Sequence, residues 1–244
     1  MIKQTEHIQS LQPFQKNVFG CRILATAQAY GLSEPFARFW MQEEGRAAIC
    51  MLDDTVILDA GTDADYDELK EFIRMTGASR LLCGSNAAQK LGYPVVRRGQ
   101  IMAYQGSSPS RLGDFERNPG VRELYALISE CATDTFEPPE FESFYMDLSH
   151  RIRHDTAAAV GMRFQGELVS CAVCSAKTQD MAVLSAVCVH PEHRRRGYGH
   201  GALSAMVYLM RGKKVYILRA EKENEEFYRS FGFEGCGEFV ESSI

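Results

Sequence analysis

Apolar and polar residues alternate along the first half of the chain in a pattern that predicts short strands and helices. Two apolar runs, Arg46–Cys50 and Thr55–Ala60, flank the turn pair Asp53-Asp54 and predict a β-hairpin. A helix is predicted over Asp65–Thr76, because its apolar residues recur at helical spacing and Gly77 follows as a stop signal. A strand, a short helix and an extended run complete this half, at Arg80–Cys83, Asn86–Leu91 and Val95–Gln105.

The second half of the chain gives the same order of elements. A helical pattern at Arg122–Cys131 precedes three extended runs, of which the first two are joined by a Gln165-Gly166 turn. These runs are Ala157–Phe164, Leu168–Ala176 and Met181–Val189. A helix over Tyr198–Met210, ended by Gly212, leads to a strand, a short helix and a closing strand at Val215–Ala220, Glu223–Phe231 and Phe233–Val240. Two interpretations stay open: a degenerate structural repeat, or a generic succession of α/β elements.

A stretch rich in turn-forming residues separates the two halves. Residues 106–120 contain several Gly, Pro and Ser and have no apolar periodicity, which is typical of a linker. We therefore predict two domains, an N-terminal α/β domain at residues 1–115 and a second domain at residues 116–244.

The composition is that of an ordinary globular protein. The chain has 244 residues, 45% of them hydrophobic, with 27 basic and 32 acidic side chains and a net charge of −5. This balance excludes a disordered chain and disfavours general binding to nucleic acid or to anionic membranes. The first residues contain no apolar signal core, no apolar stretch approaches the ~20 residues of a membrane helix, and the eight cysteines show no disulfide framework. We expect a cytoplasmic protein without a nucleic-acid or membrane partner.

The cysteines and histidines do not predict a metal centre. Cys171-x-x-Cys174 lies in a strand-like run, where residues three apart point to opposite faces, and no second pair matches it. His190, His193 and His200 are spaced by three and seven residues, which is not a recognised ligand set. We expect no bound metal.

Charge is distributed unevenly along the chain. The window 177–219 holds eight basic residues and only two acids, Asp180 and Glu192, within a chain that is acidic as a whole. Arg194, Arg195 and Arg196 stand together on the loop between a predicted strand and a predicted helix. This local excess of positive charge indicates an anion-binding site.

The same loop has the backbone chemistry that phosphate binding needs. Gly197 and Gly199 allow a tight turn in which backbone N–H groups approach a ligand, and the helix behind them adds unpaired N–H donors. A dinucleotide-binding site is the alternative, but its Gly-x-Gly-x-x-Gly fingerprint is incomplete, because the third glycine is Gly201. A phosphate or pyrophosphate group is therefore the predicted ligand.

Two segments resemble landmarks of the GNAT superfamily of CoA-dependent N-acyltransferases. Arg194-x-x-Gly197-x-Gly199, which follows Val189-x-Pro191 and opens a helix, resembles the loop that binds the pyrophosphate of coenzyme A. The segment from Asn224 to Phe233 resembles the C-terminal Tyr-x-x-x-Gly-Phe segment of the family. The resemblance implies an α+β (mixed α/β) fold, with a mostly antiparallel mixed sheet flanked by helices and a smaller N-terminal α/β domain. In the repeat interpretation that domain is a degenerate GNAT-like half that has lost its coenzyme site.

The resemblance also implies roles for individual residues. The strand before the loop would pair its backbone with the pantetheine arm of acetyl-CoA, and the loop and helix start would hold the pyrophosphate. The implied coenzyme-binding residues are Val187, Cys188, Val189, Arg194, Arg195, Arg196, Gly197, Tyr198, Gly199, His200 and Asn224. Tyr228 stands where the family often places the acid that protonates the departing thiolate. The alternative role for Tyr228 is a core aromatic between Phe227 and Phe231.

One departure from the family pattern leaves the general base unassigned. Many relatives carry an Asn about seven residues before the tyrosine, whereas this chain has Glu221 there, and the strand Val215–Leu218 has no carboxylate. Asn224, Glu221 or a bound water are the alternatives.

An acidic and aromatic stretch follows the first helix of the second half. Between residues 123 and 150 there are seven acids and neither Lys nor Arg, and Phe136, Phe141, Phe144 and Tyr145 are interleaved. Such a lining would attract a cationic amine, and the alternative is a solvated helix and loop. The resulting hypothesis is an N-acetyltransferase that moves an acetyl group from acetyl-CoA to a primary amine of a small molecule or peptide. A non-catalytic CoA-binding regulatory protein is the alternative.

Overall fold

A computed structural model describes residues 1–107, 113–133, 136–220 and 224–244. The strands are β1 (Ile2–Gln4), β2 (Ala37–Gln42), β3 (Ala47–Leu52), β4 (Thr55–Ala60), β5 (Arg80–Gly84), β6 (Val95–Tyr104), β7 (Glu116–Arg117), β8 (Ala158–Phe164), β9 (Glu167–Lys177), β10 (Met181–Val189), β11 (Lys214–Ala220) and β12 (Phe233–Ser243). The helices are α1 (Val18–Tyr30), α2 (Tyr66–Thr76), α3 (Ser85–Leu91), α4 (Val121–Glu130), α5 (Phe141–Arg153), α6 (Tyr198–Leu209) and α7 (Glu225–Phe231), with a 3-10 turn at Pro191–His193.

The chain divides into two compact units. The first unit combines Met1–Tyr104 with Tyr216–Ile244, and the second unit is Gln105–Val215. Residues 216–244 belong to the first unit because β12 pairs antiparallel with β5 on one side and with β6 on the other. This division reflects which parts of the chain contact one another in space. The domain boundary at residue 115, which the turn-rich stretch 106–120 predicts, stays a prediction.

The first unit is built on a mixed sheet in the order β1-β2-β3-β4-β5-β12-β6-β11. Neighbouring strands are antiparallel, with β4 and β5 as a parallel pair that runs from Thr55 opposite Arg80 to Ile57 opposite Leu82. One face of the sheet is covered by α2 and α3, so that Leu69 shares a buried cluster with β3, β4 and β5. Helix periodicity therefore buries one side of each helix and leaves the other side polar.

The second unit is an antiparallel sheet in the order β10-β9-β8-β7, with helices on both faces. Cys171 and Val173 of β9 pack with Leu124 and Leu127 of α4 in one buried cluster. The next residues along β9 point the other way, and Ser170 reaches the first turn of α6. A Cβ on Gly201 of α6 would lie 2.5 Å from the sulfur of Met162, so a larger residue there would force the Met162 side chain of β8 to move.

The predicted elements correspond closely to the observed ones. The hairpin, the helix capped by Asp65, and the succession from α4 to β12 are confirmed within a few residues at each end. A mostly antiparallel mixed sheet flanked by helices is also confirmed. Five strands and helices lie where the sequence predicted none, namely β1, α1, β2, β7 and α5. The predicted linker contains β7, and residues 108–112 of it lie outside the described part of the chain.

Candidate functional site

The end of β10 is tied to the start of α6 by a buried serine of the neighbouring strand. The Ser170 hydroxyl lies 3.0 Å from the carbonyl oxygen of Cys188 and 3.2 Å from that of Tyr198. The backbone N–H of His190 continues the ladder and donates to the Val169 carbonyl at 2.9 Å. These bonds fix the direction in which the chain leaves the sheet and enters the helix. We call the segment from Val187 to His200 the β10–α6 junction.

The C-terminal end of α4 holds the same junction from its other side. Cys131 Sγ donates to the Val189 carbonyl at 3.3 Å, and Glu130 Oε2 lies 2.9 Å from His190 Nε2. His190 Nδ1 accepts from the Glu192 backbone N–H at 3.3 Å, so both ring nitrogens of His190 have a partner. Sequence reasoning missed Ser170, Glu130 and Cys131. A serine inside the apolar run around residue 170 was the available signal.

The backbone of the junction exposes hydrogen-bond donors. Gly197 precedes α6 with φ +85°, in the left-handed region, and has no side chain with which to cap the helix. The first N–H groups of α6 therefore keep their capacity to bind a ligand. Arg195 also has a positive φ of +61°, which turns the loop just before this helix start.

Positive charge surrounds these donors. Arg194, Arg195 and Arg196 are exposed, and Arg194 Nε also donates to the Val189 carbonyl at 3.3 Å. The first turn of α6 contains no acid. The helix dipole and the three guanidinium groups thus favour an anion at the same place. His200, in the first turn, is exposed as well.

The corresponding strand–loop–helix of the first unit has the opposite character. There Asp65 caps α2 by accepting from the Glu68 backbone N–H at 3.0 Å, and Asp67 and Glu68 stand in the first turn. The buried Gln42 side chain accepts from the Asp65 N–H at 2.9 Å. Side-chain acceptors therefore bind two of the backbone N–H groups at this helix start, and the carboxylates of the first turn disfavour an anion there.

Cysteine thiols near the junction are buried and remain protonated at neutral pH. The contact with Cys131 lowers the pKa of Cys188, but the hydrogen bond with Cys171 and burial outweigh it and raise that pKa to about 12. The hydrogen bond to Cys188 and burial raise the pKa of Cys131 as well. A thiol in this state is a poor nucleophile. The eight cysteines, all within the described residues, form no disulfide bond.

Tyr228 and Asn224 lie in the first unit. The Tyr228 ring is 7% exposed and packs 5.1 Å from the Phe227 ring and 5.9 Å from the Phe233 ring, measured between centroids. Asn224 precedes α7 with φ +50°, a backbone conformation that asparagine tolerates better than most residues. Glu221, which occupies the slot of the family asparagine, lies outside the described residues. The structure thus gives Tyr228 a packing role and Asn224 a role at the start of α7. The catalytic role of Tyr228 and the coenzyme-binding role of Asn224 stay predictions.

Most acids of the 123–150 stretch have intramolecular partners. Glu123 binds Arg163 at 3.0 Å, Asp147 binds Arg151 at 2.7 Å, and Glu130 contacts His190. Backbone N–H groups of residues 142 and 143 at the start of α5 bind Glu140 and lower the pKa of that carboxyl. Asp134 lies outside the described residues, and the two others, Glu137 and Glu142, are exposed.

A cation of the chain itself occupies the aromatic part of this stretch. The Arg122 guanidinium carbon lies 5.6 Å from the Phe141 ring centroid and 5.1 Å from the Tyr145 ring centroid. Tyr125 packs edge-on against Phe141, with 5.0 Å between ring centroids. Two of the four rings that the sequence offered for an amine therefore already contact a guanidinium group.

Within the ranges that the structure describes, no group of three or more His, Cys, Asp or Glu side chains is arranged to hold a metal ion. His190 and His193 are ring neighbours with 5.6 Å between centroids, and His190 is engaged by Glu130 and Glu192. No helix in the described part of the chain is long and apolar enough to span a membrane.

The fold and the junction together define an α+β protein with an arginine-rich loop beside an uncapped helix start, an arrangement that favours an anion. Comparison with known families agrees with this class. Residues 121–233 match the model of the Acetyltransferase (GNAT) family, so this part of the chain is a GNAT domain. No significant match was found among proteins of curated function.

Solved structures share the fold over nine tenths or more of this chain at low sequence identity. A GNAT-family acetyltransferase from Colwellia psychrerythraea is 13% identical with a TM-score of 0.59, over 100% of this chain and 99% of that one. A GCN5-related N-acetyltransferase from Kribbella flavida is 19% identical with a TM-score of 0.61, over 91% and 95%. A tandem GNAT protein from the clavulanic acid biosynthesis pathway is 12% identical with a TM-score of 0.61, over 100% and 98%. At such identities the likeness establishes the fold alone.

Proposed function

We propose that this protein is a cytoplasmic N-acetyltransferase that moves an acetyl group from acetyl-CoA to a primary amine of a small molecule or peptide. The observation that carries the proposal is the β10–α6 junction within the GNAT domain, where a left-handed Gly197 opens α6 beside three exposed arginines. Uncapped N–H donors and guanidinium groups are the chemistry that a pyrophosphate requires.

The residues of the junction fit coenzyme A. A Cβ placed on Gly197 would meet no atom within 4 Å, so there is room for a ligand against the backbone at this point. Arg194, Arg195 and Arg196 would neutralise the phosphates, the N–H groups from Tyr198 to His200 would bind their oxygens, and the backbone of Val187–Val189 would pair with the pantetheine arm. When bound, acetyl-CoA supplies the thioester that is the acetyl donor.

Direct attack by the amine is the favoured reaction. The amine nitrogen forms a bond to the thioester carbon, the C–S bond breaks, the ammonium loses one proton and the thiolate gains one. A covalent acetyl-cysteine route would need a thiolate, and Cys188 and Cys131 are held as thiols by raised pKa values. The general base is unassigned: Asn224, Glu221 or a bound water are the candidates.

Tyr228 is the proposed acid for the departing thiolate. A phenol is a weaker acid than a thiol in water, so the role requires a hydrogen bond held at the sulfur while negative charge develops there. Tyr228→Phe should lower kcat with little change in the KM for acetyl-CoA. Tyr93→Phe is the matched control, because it removes a phenol of the same unit whose hydroxyl donates to the Lys70 carbonyl and takes no proposed part in the reaction. Equal rates for wild type and Tyr228→Phe would leave only the packing role.

The N-terminal half is proposed to be a degenerate GNAT-like half without a coenzyme site. The acidic, side-chain-capped start of α2 supports this, because Asp65 accepts from the Glu68 backbone N–H and the acids of the first turn repel phosphate. A tandem GNAT protein among the fold neighbours is consistent with two related halves. Titration calorimetry should then give one CoA per chain, and two equivalent sites would contradict the proposal.

The central experiment measures coenzyme binding and turnover separately. Calorimetry with acetyl-CoA is compared for wild type, Arg195→Ala and the control Arg153→Ala, which removes an exposed arginine of the same unit from the end of α5. We expect Arg195→Ala alone to weaken binding and to reduce its salt dependence. Turnover on a panel of primary amines is followed by loss of thioester absorbance, since the exposed Cys236 would react with thiol reagents. Absence of acetyl-CoA binding would refute the proposal.

A non-catalytic CoA-binding regulatory protein is the second candidate. The burial of Tyr228 among aromatic rings is the observation that favours it, because a tyrosine in the core needs no catalytic role. Tight CoA binding with no turnover across small amines and peptide N-termini would select this candidate.

A further inference from the structure

Three aromatic rings from three different elements meet beside the β10–α6 junction. The Phe164 ring centroid lies 5.3 Å from that of His193 and 6.5 Å from that of Tyr198, and the His193 and Tyr198 centroids are 5.9 Å apart. Phe164 is the last residue of β8, His193 ends the 3-10 turn, and Tyr198 is the first residue of α6. We call these three residues the aromatic cluster.

The sheet topology explains why the cluster adjoins the anion-binding loop. Both β8 and β10 are antiparallel to β9, so they run in the same direction and their C-terminal ends reach the same edge of the sheet. Phe164 ends the first of these strands and Val189 ends the second. Arg194–Gly197 then connects His193 to Tyr198, so the arginines and the rings share one short segment.

The exposure of Phe164 distinguishes it from the other apolar residues of its strand. Residues 158–161 of β8 are buried, whereas 38% of the Phe164 surface is exposed. His193 packs against the rings of Phe164 and Tyr198, and its Nδ1 atom is buried without a hydrogen-bond partner among the described residues. Phe164 is therefore an exposed ring supported from behind by two others, next to a site built for phosphate.

We propose that Phe164 is the surface on which the adenine ring of coenzyme A stacks. This inference rests on the proposed function and extends it from the pyrophosphate to the nucleoside. In coenzyme A the ribose joins adenine to the pyrophosphate, so phosphates bound at α6 confine the base to the neighbourhood of the loop. An adenine offers a flat π-face, and base–aromatic stacking needs only a ring with an open face. His193 and Tyr198 hold the Phe164 ring in place and are positioning residues.

The test compares ligands with and without adenine. Dissociation constants for CoA and for 4′-phosphopantetheine, which lacks the adenosine part, are measured for wild type, Phe164→Leu and Phe164→Trp. We expect Phe164→Leu to weaken CoA about fivefold and to leave 4′-phosphopantetheine unchanged, while Phe164→Trp retains the affinity for CoA. Competition by 3′,5′-ADP should fall in parallel with CoA in the leucine variant.

Tyr208→Leu is the matched control, since Tyr208 is an aromatic residue of α6 with a similar exposure of 37% and lies near the opposite end of that helix. Tyr208→Leu should change the dissociation constant of neither CoA nor 4′-phosphopantetheine. Melting temperatures of all variants check that they fold. If Phe164→Leu weakened both ligands equally, or neither, stacking of adenine on Phe164 would be refuted. If wild type bound no CoA at all, the proposed function would fail instead, so the two failures are distinguishable.

Discussion

Ser170 of β9 lies against Tyr198 of α6, with its hydroxyl 3.2 Å from the Tyr198 carbonyl oxygen. The same hydroxyl is 3.0 Å from the Cys188 carbonyl oxygen. One buried side chain therefore connects the C-terminal end of β10 to the first residue of α6. The junction that would hold pyrophosphate is thus positioned by a buried residue of the neighbouring strand.

Ser170→Ala should lower the free energy of unfolding by about 1 kcal/mol and weaken CoA binding. The lost hydrogen bond leaves two carbonyl groups less well satisfied and frees the start of α6. Ser175→Ala is the matched control in the same strand, because the Ser175 hydroxyl is buried without a hydrogen-bond partner among the described residues. Chemical denaturation and CoA calorimetry measure both effects. An equal loss of stability in the two variants would show that burial of a hydroxyl, and not the junction bond, is responsible.

Local sequence signals were sufficient for the elements that carry their own boundaries. Asp65 caps α2 and Gly77 ends it in the left-handed conformation, and both residues are recognisable without any tertiary information. Helix α1 was not predicted, because most of its own residues are buried and apolar positions occur on nearly all of its sides. Its sequence therefore lacks the single apolar stripe by which an amphipathic helix is recognised. Its Asn17 cap, which accepts from two backbone N–H groups, was the remaining signal.

In the candidate site too, features that are local in sequence could be predicted, whereas contacts that depend on tertiary packing could not. The loop from Arg194 to Gly199 could be predicted because its charges and glycines are contiguous in sequence. The bonds from Glu130 and Cys131 could not, because they join residues about sixty positions apart whose meeting depends on how α4 packs on the sheet. The position of Arg122 over Phe141 likewise depends on the packing of α4 and α5.

Gly197 allows a prediction that separates backbone strain from steric contact. Since its φ is +85° and a Cβ there would meet nothing within 4 Å, Gly197→Ala should cost about 1 kcal/mol of stability through strain alone. Gly197→Asn should cost less, because asparagine tolerates the left-handed region. Thermal unfolding of both variants measures the difference. If alanine and asparagine were equally tolerated, the left-handed conformation would not be required at this position.

The affinity for CoA of Gly197→Ala and Gly197→Asn tests whether the ligand approaches the backbone at this position. If the ligand approaches the Gly197 backbone, both side chains obstruct it, and binding should weaken in both variants irrespective of their stability. A loss of affinity that followed stability would instead indicate that the backbone conformation alone matters.

Asp59 should make the stability of the first unit depend on pH. Burial raises the pKa of Asp59 to about 6, although the hydrogen bond from Asn17 Nδ2 at 2.8 Å acts in the other direction. The folded protein therefore binds more protons than the unfolded chain between about pH 4 and pH 6, and the free energy of unfolding falls as the pH rises through that window. The shift from 3.8 corresponds to about 3 kcal/mol.

Asp59→Asn should remove this dependence, because the neutral amide can still accept from Asn17 and never ionises. Relative to wild type it should be stabilising at about pH 8 and neutral at about pH 4. Asp63→Asn, the same substitution at an exposed carboxylate of the loop that follows β4, is the control and should show no such difference. Urea unfolding at several pH values measures it. A variant with unchanged stability at high pH would contradict the raised pKa.

Arg122 tests where the acceptor amine is recognised. Its guanidinium carbon lies within 5.6 Å of the Phe141 and Tyr145 ring centroids, so the chain has already filled the aromatic position that a cationic acceptor would need. Arg122→Gln should cost about 0.5–1 kcal/mol of stability through the lost cation–π contacts and leave the KM for cationic amines unchanged. Arg122→Lys, which keeps the charge, should have a stability between those of wild type and Arg122→Gln. A fall in KM for cationic amines in Arg122→Gln, with no change for neutral ones, would show that Arg122 competes with the acceptor and that these rings line the acceptor site.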